Sequence, residues 1–499
     1  MEKKKSQSSS KKSSAKKVVA KKVATKEVIE KEEVVKVSSK KTSKYSLFKV
    51  LSITILVAVV LTWLIPAGQY DGTQFTTTEI VRTGFNELFL GVFYGANYYL
   101  VQIMFLLALG VFYGVISKTK GYQAMVGKIA NMWKGKQKVF VLVNSLLIAV
   151  MASVFTHPFV VLLFIPLLYS VAKKLNMGKV STAMMTFGSL LVGLMGLTYS
   201  NYGIEYINAY MGTEATTLLS TRFGILAVGY LVLNIFNIMS LDKKANNEVV
   251  EEIYETEDVK DKKGIGYFIL FGLLFVISIL GFVAWETITK TTVFTDFNTW
   301  LTTDFLIGGH PVLGYIVGKV NPFGAWDINN MIAVLMFVVI IVKFASKVKL
   351  DTLLDNAVSG MQKMVKPIAL VTLAYTVFVL SYWSGMSATI VNWFNSFSAN
   401  FNPYFNAIGN AVATTLHVDF GFSGFTLGAY YAAAFADSIN KIFVIMTSMN
   451  GLISFIAPTS VIMLIGLSLS NISYKEWFKN IWKFVLAMTI ILFVLYAII

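Results

Sequence analysis

The sequence predicts an all-α polytopic membrane protein, and three observations carry that expectation: an apolar composition, charges confined between apolar runs, and runs of spanning length. Of 499 residues, 56% are hydrophobic and 14% are charged, with a mean hydropathy of +0.65. A soluble globular chain is nearer a quarter charged. About 20 consecutive apolar residues cross the hydrocarbon core as a helix, and such runs recur along this chain. A length that is large for one soluble core therefore reads as a single helical bundle. Cysteine is absent, which excludes disulfides, thiol nucleophiles and cysteine metal sites. Two arginines, Arg82 and Arg222, stand against 41 lysines, a skew that reads as nucleotide composition bias.

The formal charge of +16 comes mostly from residues 1–44, which hold fifteen lysines and five glutamates. This segment lacks the short apolar core of a signal peptide. It reads as a solvated, disordered cytoplasmic tail that fixes topology, ahead of a patch for anionic lipid headgroups. Nucleic acid is not an expected partner, because the segment has no arginine and only Tyr45, at its edge, is aromatic.

Cytoplasmic loops carry the lysine excess, which puts the N-terminus inside and the protein in the plasma membrane. The first span is Ser46–Ile65, ended by Pro66, and the acidic loop 67–97 lies outside. Tyr98–Ser117 returns to a lysine cluster at 118–138. Residues 139–172 hold two short apolar limbs broken at Thr156-His157-Pro158, with lysines at both ends. They read as a re-entrant hairpin, which is tolerated where protein or a water-filled cavity satisfies its backbone. Spans at 180–199 and 222–240 complete a first membrane half, 45–240. The charged cytoplasmic linker 241–263 separates it from a second half, 264–499.

That second half has spans at 265–285 and 328–341, an amphipathic surface stretch at 350–365, and a span at 367–381. Residues 404–436 repeat the interrupted pattern at His417, Asp419, Gly421, Ser423 and Gly424, with few flanking lysines, so this hairpin enters from outside. A long run, 441–470, is broken at Asn450-Gly451 and Pro458-Thr459-Ser460, and 482–499 closes the chain. The sum is about nine full spans plus two hairpins in an inverted-topology repeat, the arrangement that gives alternating access.

Several residues offer chemistry. His157 and His417 occupy corresponding places in the hairpins, where a histidine can exchange a proton or, once charged, bind a carboxylate. A histidine held by a backbone carbonyl is the plainer reading, and it is preferred for His310. Asp419, favoured over Asp437, can pair a cation or couple to a proton or sodium. Ser200, Asn201, Asn450, Gly451, Thr459 and Ser460 put amides, hydroxyls and freed carbonyls at helix breaks, suited to sodium (at Asn201 and Asn450) or to carboxylate capture by a half-helix N-terminus. Small-residue helix packing competes with those roles. No cofactor is expected beyond a coupling ion. Enzymes are disfavoured: Gly121–Lys128 is one residue too long for a phosphate loop and is followed by Ile129. An enzyme or lipid flippase would need an acid/base cluster or a lipid-exposed groove, and a channel fits poorly with hairpins entering from opposite sides.

Three stretches resemble one family. Leu61–Asp71 (LTWLIPAGQYD) is similar to the end of the first span in the YfcC family, relatives of the anaerobic four-carbon dicarboxylate carriers. Residues 155–201 resemble that family's first hairpin and broken helix, and 447–477 its second broken helix and the approach to the last span. The resemblance implies an elevator-type ion-transporter-superfamily fold, a homodimer, and a secondary transporter of small organic ions. Basic amino acids such as arginine and ornithine, moved by exchange, are the expected substrate, with dicarboxylates as the alternative. Three departures bear on this. Thr156, His157 and Pro158 stand where the family has a hairpin glutamate, Tyr202 replaces a proline after Asn201, and Ser423-Gly424 between Phe422 and Phe425 is what remains of a Ser-Gly-Ser-Gly run.

Overall fold

The computed structural model describes residues 45–241, 248–257, 264–398, 400–417 and 419–499. The basic segment 1–44 and parts of the linker 241–263 lie outside the described residues. Helix α1 (Ser46–Leu64) is predominantly apolar after Lys49 and stops before Pro66, and a small hairpin follows, β1 (Gly68–Asp71) with β2 (Gln74–Thr77). Gly68 pairs with Thr77 and Asp71 with Gln74, and Gly72 supplies the positive φ of +58° in the two-residue turn. Next come α2 (Phe85–Tyr98), α3 (Leu100–Ile116), α4 (Lys120–Trp133) and α5 (Gln137–Val154). A 3₁₀ segment (Pro158–Phe164) leads into α6 (Ile165–Lys174). The first half ends with α7 (Lys179–Met195), α8 (Ile204–Met211) and α9 (Leu219–Leu241).

In the second half α10 (Ile265–Phe282) is followed by short helical pieces between 285 and 317. Helices α11 (Ile328–Ser346), α12 (Leu350–Ser384), α13 (Met386–Asn395), α14 (Pro403–Leu416), α15 (Phe420–Ala434), α16 (Ile439–Ile453), α17 (Val461–Leu469) and α18 (Tyr474–Ile498) complete the chain. Their starts are chemically marked. Asp327 accepts from Asn330 N at 3.1 Å, Asn402 from Tyr404 N at 2.9 Å, and Ser473 from Glu476 N at 3.2 Å, each satisfying a first-turn N–H that has no partner within the helix.

Among the described residues, seven helices are long and apolar enough to cross a membrane, or eight if α2 and α3 count as one span bent by 62°. Three differences from the sequence reading account for the departure from nine. The run 441–470 divides into α16 and α17, and 180–199 yields a helix that ends at Met195 with a π turn at Met184–Gly188. The first limb of the 139–172 interruption is an 18-residue helix of spanning length, not a short limb. The break itself falls where Thr156-His157-Pro158 was expected, and the second interruption falls between α14 and α15, limbs of 14 and 15 residues.

Two further expectations are corrected. The loop read at 67–97 contains α2, whose Gly91 and Gly95 lie against Thr376 and Leu380 of α12, so close packing to a neighbour outweighs its mixed polarity. The surface stretch 350–365 and the span 367–381 form one 35-residue helix, α12, which runs through the buried Pro367. A proline costs one ladder bond, and packing against neighbouring helices makes that tolerable within a membrane.

Helices α2, α3, α11 and α12 pack on one another, while α5, α7, α9, α14, α16 and α18 form a second set. Apolar side chains gain little by leaving lipid for protein, so close backbone approach carries much of such packing. The α3–α12 crossing is the tightest case: a Cβ added at Gly360 would lie 2.1 Å from Gly110 O, and one at Gly114 would lie 2.3 Å from Asn356 O. The linker also contributes. Val250, Ile253 and Tyr254 are buried, Val250 N donates to Met177 O at 2.9 Å, and Tyr254 OH donates to Gly360 O at 3.3 Å. Nearby, Lys179 pairs with Glu248 of the linker and, at 3.2 Å, with Glu476.

Gly360→Val should separate α3 from α12 and lower stability by about 1–3 kcal/mol. Gly266→Val, at a position with open space around it, should stay within about 0.5 kcal/mol of the parent. Thermal unfolding of the purified proteins in detergent checks both, and equal midpoints would refute the packing argument.

Candidate substrate site

The site is built where two helices stop inside the bundle. In the first, α7 ends at Met195 and residues 196–203 run without helical bonding. Ser153, at the end of α5, captures this stretch. Its carbonyl accepts from Thr198 N (2.9 Å) and Ser200 N (3.2 Å), and its hydroxyl donates to Gly196 O (2.8 Å). Ser200 Oγ donates to Phe155 O at 2.6 Å. Arg222, at the start of α9 and 1% exposed, donates through Nη2 to Thr198 O (2.9 Å) and to Ala215 O, and its guanidinium lies 5.2 Å from the Phe443 ring centre. It has no carboxylate partner among the described residues.

The second break, 454–460, is held in the same way by distant side chains. Trp477 Nε1 donates to Phe455 O at 2.8 Å, Tyr474 OH to Ile456 O, and Thr459 Oγ1 to Thr415 O at 2.8 Å. The two broken helices cross at Gly451, where an added Cβ would lie 2.2 Å from Met195 Cα. Only glycine permits that approach.

Between the breaks is a small space of about 30 Å³, lined on its polar side by Tyr202, Thr414, Asn450, Ser454, Thr459 and Ser460. Phe159 of the 3₁₀ segment and Phe420 of α15 close it. Elements from both interruptions and both broken helices therefore meet at one point. The volume suits a water molecule or a bare ion. An organic acid of several carbons needs these walls to part. No carboxylate, lysine or arginine lines the space.

The predicted residues divide into groups. Asn450, Thr459 and Ser460 come together at this cavity, and Gly451 sits behind it. Ser200 supports the first break, while Asn201 is half-buried, off the cavity, and uses its carbonyl to accept from Ile204 N at 3.1 Å. Thr156 and His157 turn toward the end of α10: Thr156 N donates to Phe282 O at 2.7 Å, and the His157 ring meets Phe282 edge-on at 6.2 Å. His417 is fully buried, with Nδ1 3.1 Å from Ser423 Oγ, and Gly424 packs on the Ile207 backbone. Asp419 caps α15 through Gly421 N at 2.9 Å and faces a different, aromatic crevice. His310 lies on an exposed turn.

Sequence reasoning missed Ser153, Tyr202, Thr414, Ser454 and Arg222. Arg222 left a usable signal: it is one of two arginines and opens an apolar run.

The family profile described as DcuC, C4-dicarboxylate anaerobic carrier, matches residues 45–499. The chain belongs to that family. It is thus a multi-pass membrane transporter, in keeping with its apolar helices. No match emerges among curated proteins. Two solved structures are similar over most of their length. One is the YdaH transporter of Alcanivorax borkumensis, at 11% identity and TM-score 0.42, covering 91% of this chain and 97% of that one. The other is MtrF of Neisseria gonorrhoeae, described as illuminating a class of antimetabolite efflux pumps, at 12% identity and TM-score 0.30, covering 91% and 94%.

Arg222→Leu should strand the carbonyls of Thr198 and Ala215 and cost about 1–3 kcal/mol, whereas Arg222→Lys should recover part of that loss. Midpoints of thermal unfolding distinguish the two. A leucine variant as stable as the parent would mean that the arginine does not hold the break.

Proposed function

We propose that this carrier moves a small dicarboxylate, of the four-carbon class, across the plasma membrane by alternating access. Family membership supports the substrate class. The observation that carries the reading is the polar lining of the helix-break cavity, which is made of hydroxyls and one amide with no carboxylate among them. Tyr202, Ser460 and the Asn450 amide can donate to an anion, whereas Thr414, Ser454 and Thr459 give their hydroxyl protons to backbone carbonyls, and α17 begins beside the space at Ser460 with its N-terminal N–H groups available. The uncompensated positive charge of Arg222, bonded to the first break, adds a potential of the right sign. A basic amino acid, the substrate expected from the sequence, would call for a carboxylate at this point.

An inverted repeat would supply the working scheme. Each half holds an interrupted segment followed by a broken helix, in the same order along the chain. We read these as the moving unit of an elevator-type carrier, and α2, α3, α11 and α12 as its support. The cytoplasmic N-terminus, the homodimer and membership of the YfcC branch belong to this same reading. The 30 Å³ space is then a closed site that must open to one side to admit substrate. Asn450, with the neighbouring hydroxyls, is the placement for a coupling sodium, and exchange of one substrate for another is an equally workable driving force.

Proteoliposomes carrying the full-length protein should accumulate labelled succinate, and labelled arginine should stay at the level of empty vesicles. Asn450→Ala and Ser460→Ala should each cut initial uptake by roughly tenfold or more, the effect of losing one or two hydrogen bonds to a charged ligand. Uptake should rise with an imposed sodium gradient or with internal dicarboxylate. Movement of arginine but not succinate would overturn the proposal.

A further inference from the structure

A crevice of about 410 Å³ lies between α2 and α12 on one side and α8 and α15 on the other. Its volume falls in the ordinary range for a small-molecule pocket. Its walls are aromatic: Tyr98, Tyr206, Tyr382, Trp383 and Phe422 line it. The Phe422 ring packs edge-on against Phe378 at 4.9 Å and Tyr382 at 5.1 Å, and Tyr98 meets Phe378 at 5.1 Å. One charged residue is present, Asp419; no lysine, arginine or histidine lines the space.

Asp419 is only partly satisfied by protein. Its Oδ1 accepts from Gly421 N at 2.9 Å, its Oδ2 accepts a long bond from Tyr98 OH at 3.3 Å, and the backbone N–H of Phe422 also bonds the carboxylate. An ionised carboxylate has about four acceptor sites, so about one remains for a ligand, beside the charge itself. The helix cap explains why a short polar residue stands at this position. It does not explain a carboxylate at the floor of an aromatic space with no opposite charge in the lining. Ring faces carry partial negative charge and attract cations, and the carboxylate has the same preference. An anion would meet repulsion from both, and a neutral apolar guest would leave the carboxylate without compensation.

We propose that this crevice binds a small organic ammonium cation, with Asp419 as its counter-charge and the rings of Tyr98, Tyr382 and Phe422 as its cage. The site is separate from the helix-break cavity and does not rest on the dicarboxylate reading. Two sources share the required chemistry, a free ammonium solute and the headgroup of a choline or ethanolamine lipid.

The test uses full-length protein in nanodiscs and tritiated benzyltrimethylammonium as probe. In phosphatidylglycerol discs the probe should bind saturably and be displaced by unlabelled probe, and succinate should not displace it. Asp419→Asn, which keeps an acceptor for Gly421 N, should weaken binding by roughly tenfold or more, and Tyr382→Leu, remote from the cap, by roughly three- to tenfold. Weaker apparent binding in phosphatidylcholine or phosphatidylethanolamine discs would assign the site to a lipid headgroup, and unchanged binding to a free solute. Absence of saturable binding would overturn the proposal. So would full affinity in a correctly folded Asp419→Asn protein, or equal displacement by neopentylbenzene, the uncharged carbon analogue of the probe.

Discussion

A backbone that leaves helical geometry inside an apolar medium must find a partner for every freed N–H and C=O, because no bulk water is there to supply one. That constraint organises the centre of this transporter. The carbonyls of Thr198, Phe455, Ile456 and Thr415 are met by Arg222, Trp477, Tyr474 and Thr459, each from elsewhere in the chain. Ser153 serves three groups of the first break. These side chains hold open the interruptions at which polar groups can face a substrate. Without them the breaks would be among the least stable elements of the bundle.

The same arrangement explains how a neutral site can have a preference of sign. The polar groups lining the small cavity are hydroxyls and an amide, and the charge lies one layer out, on a guanidinium that bonds backbone carbonyls. On the opposite side of Phe420, the single carboxylate Asp419 faces an aromatic crevice. One turn of α15 thus separates two spaces of contrary electrostatic character. The crevice lies where α8 and α15 pack together, and the small cavity is lined by Tyr202, just ahead of α8, and Phe420, the first residue of α15, so a change in how those helices pack would be felt in both.

Much of this was legible in the amino-acid order, for a definite reason. Proline, glycine and paired polar residues inside apolar runs are hard to place except at a break, and Thr156-His157-Pro158, His417 with Asp419, and Pro458-Thr459-Ser460 all mark one. Asn450, Thr459 and Ser460 accordingly fell at the cavity. What stayed hidden depends on contacts between distant segments. Helix α2 carries Asn86, Glu87 and Asn97 among its apolar residues and reads as a loop until Gly91 and Gly95 are seen against α12. Pro367 reads as the start of a separate span, yet one helix runs through it. Arg222 has carbonyl partners, and no sequence pattern announces a carbonyl. The aromatic crevice joins residues some 320 positions apart, Tyr98 and Asp419.

The linker was expected to be a featureless charged boundary, and its middle is instead docked at two points. Val250 is fastened to Met177 and Tyr254 to Gly360, with the Tyr254 ring stacked 5.4 Å from that of Tyr113. Four residue steps separate those fastenings, and a chain of that length reaches about 14 Å when fully drawn out. The segment is therefore a ruler laid between the start of α7 and the α3–α12 pair. Sliding of one past the other proceeds freely only until the ruler is straight. Any longer stroke would have to unhook an end, giving the linker side of the molecule a natural stop that no residue of the helix-break cavity provides.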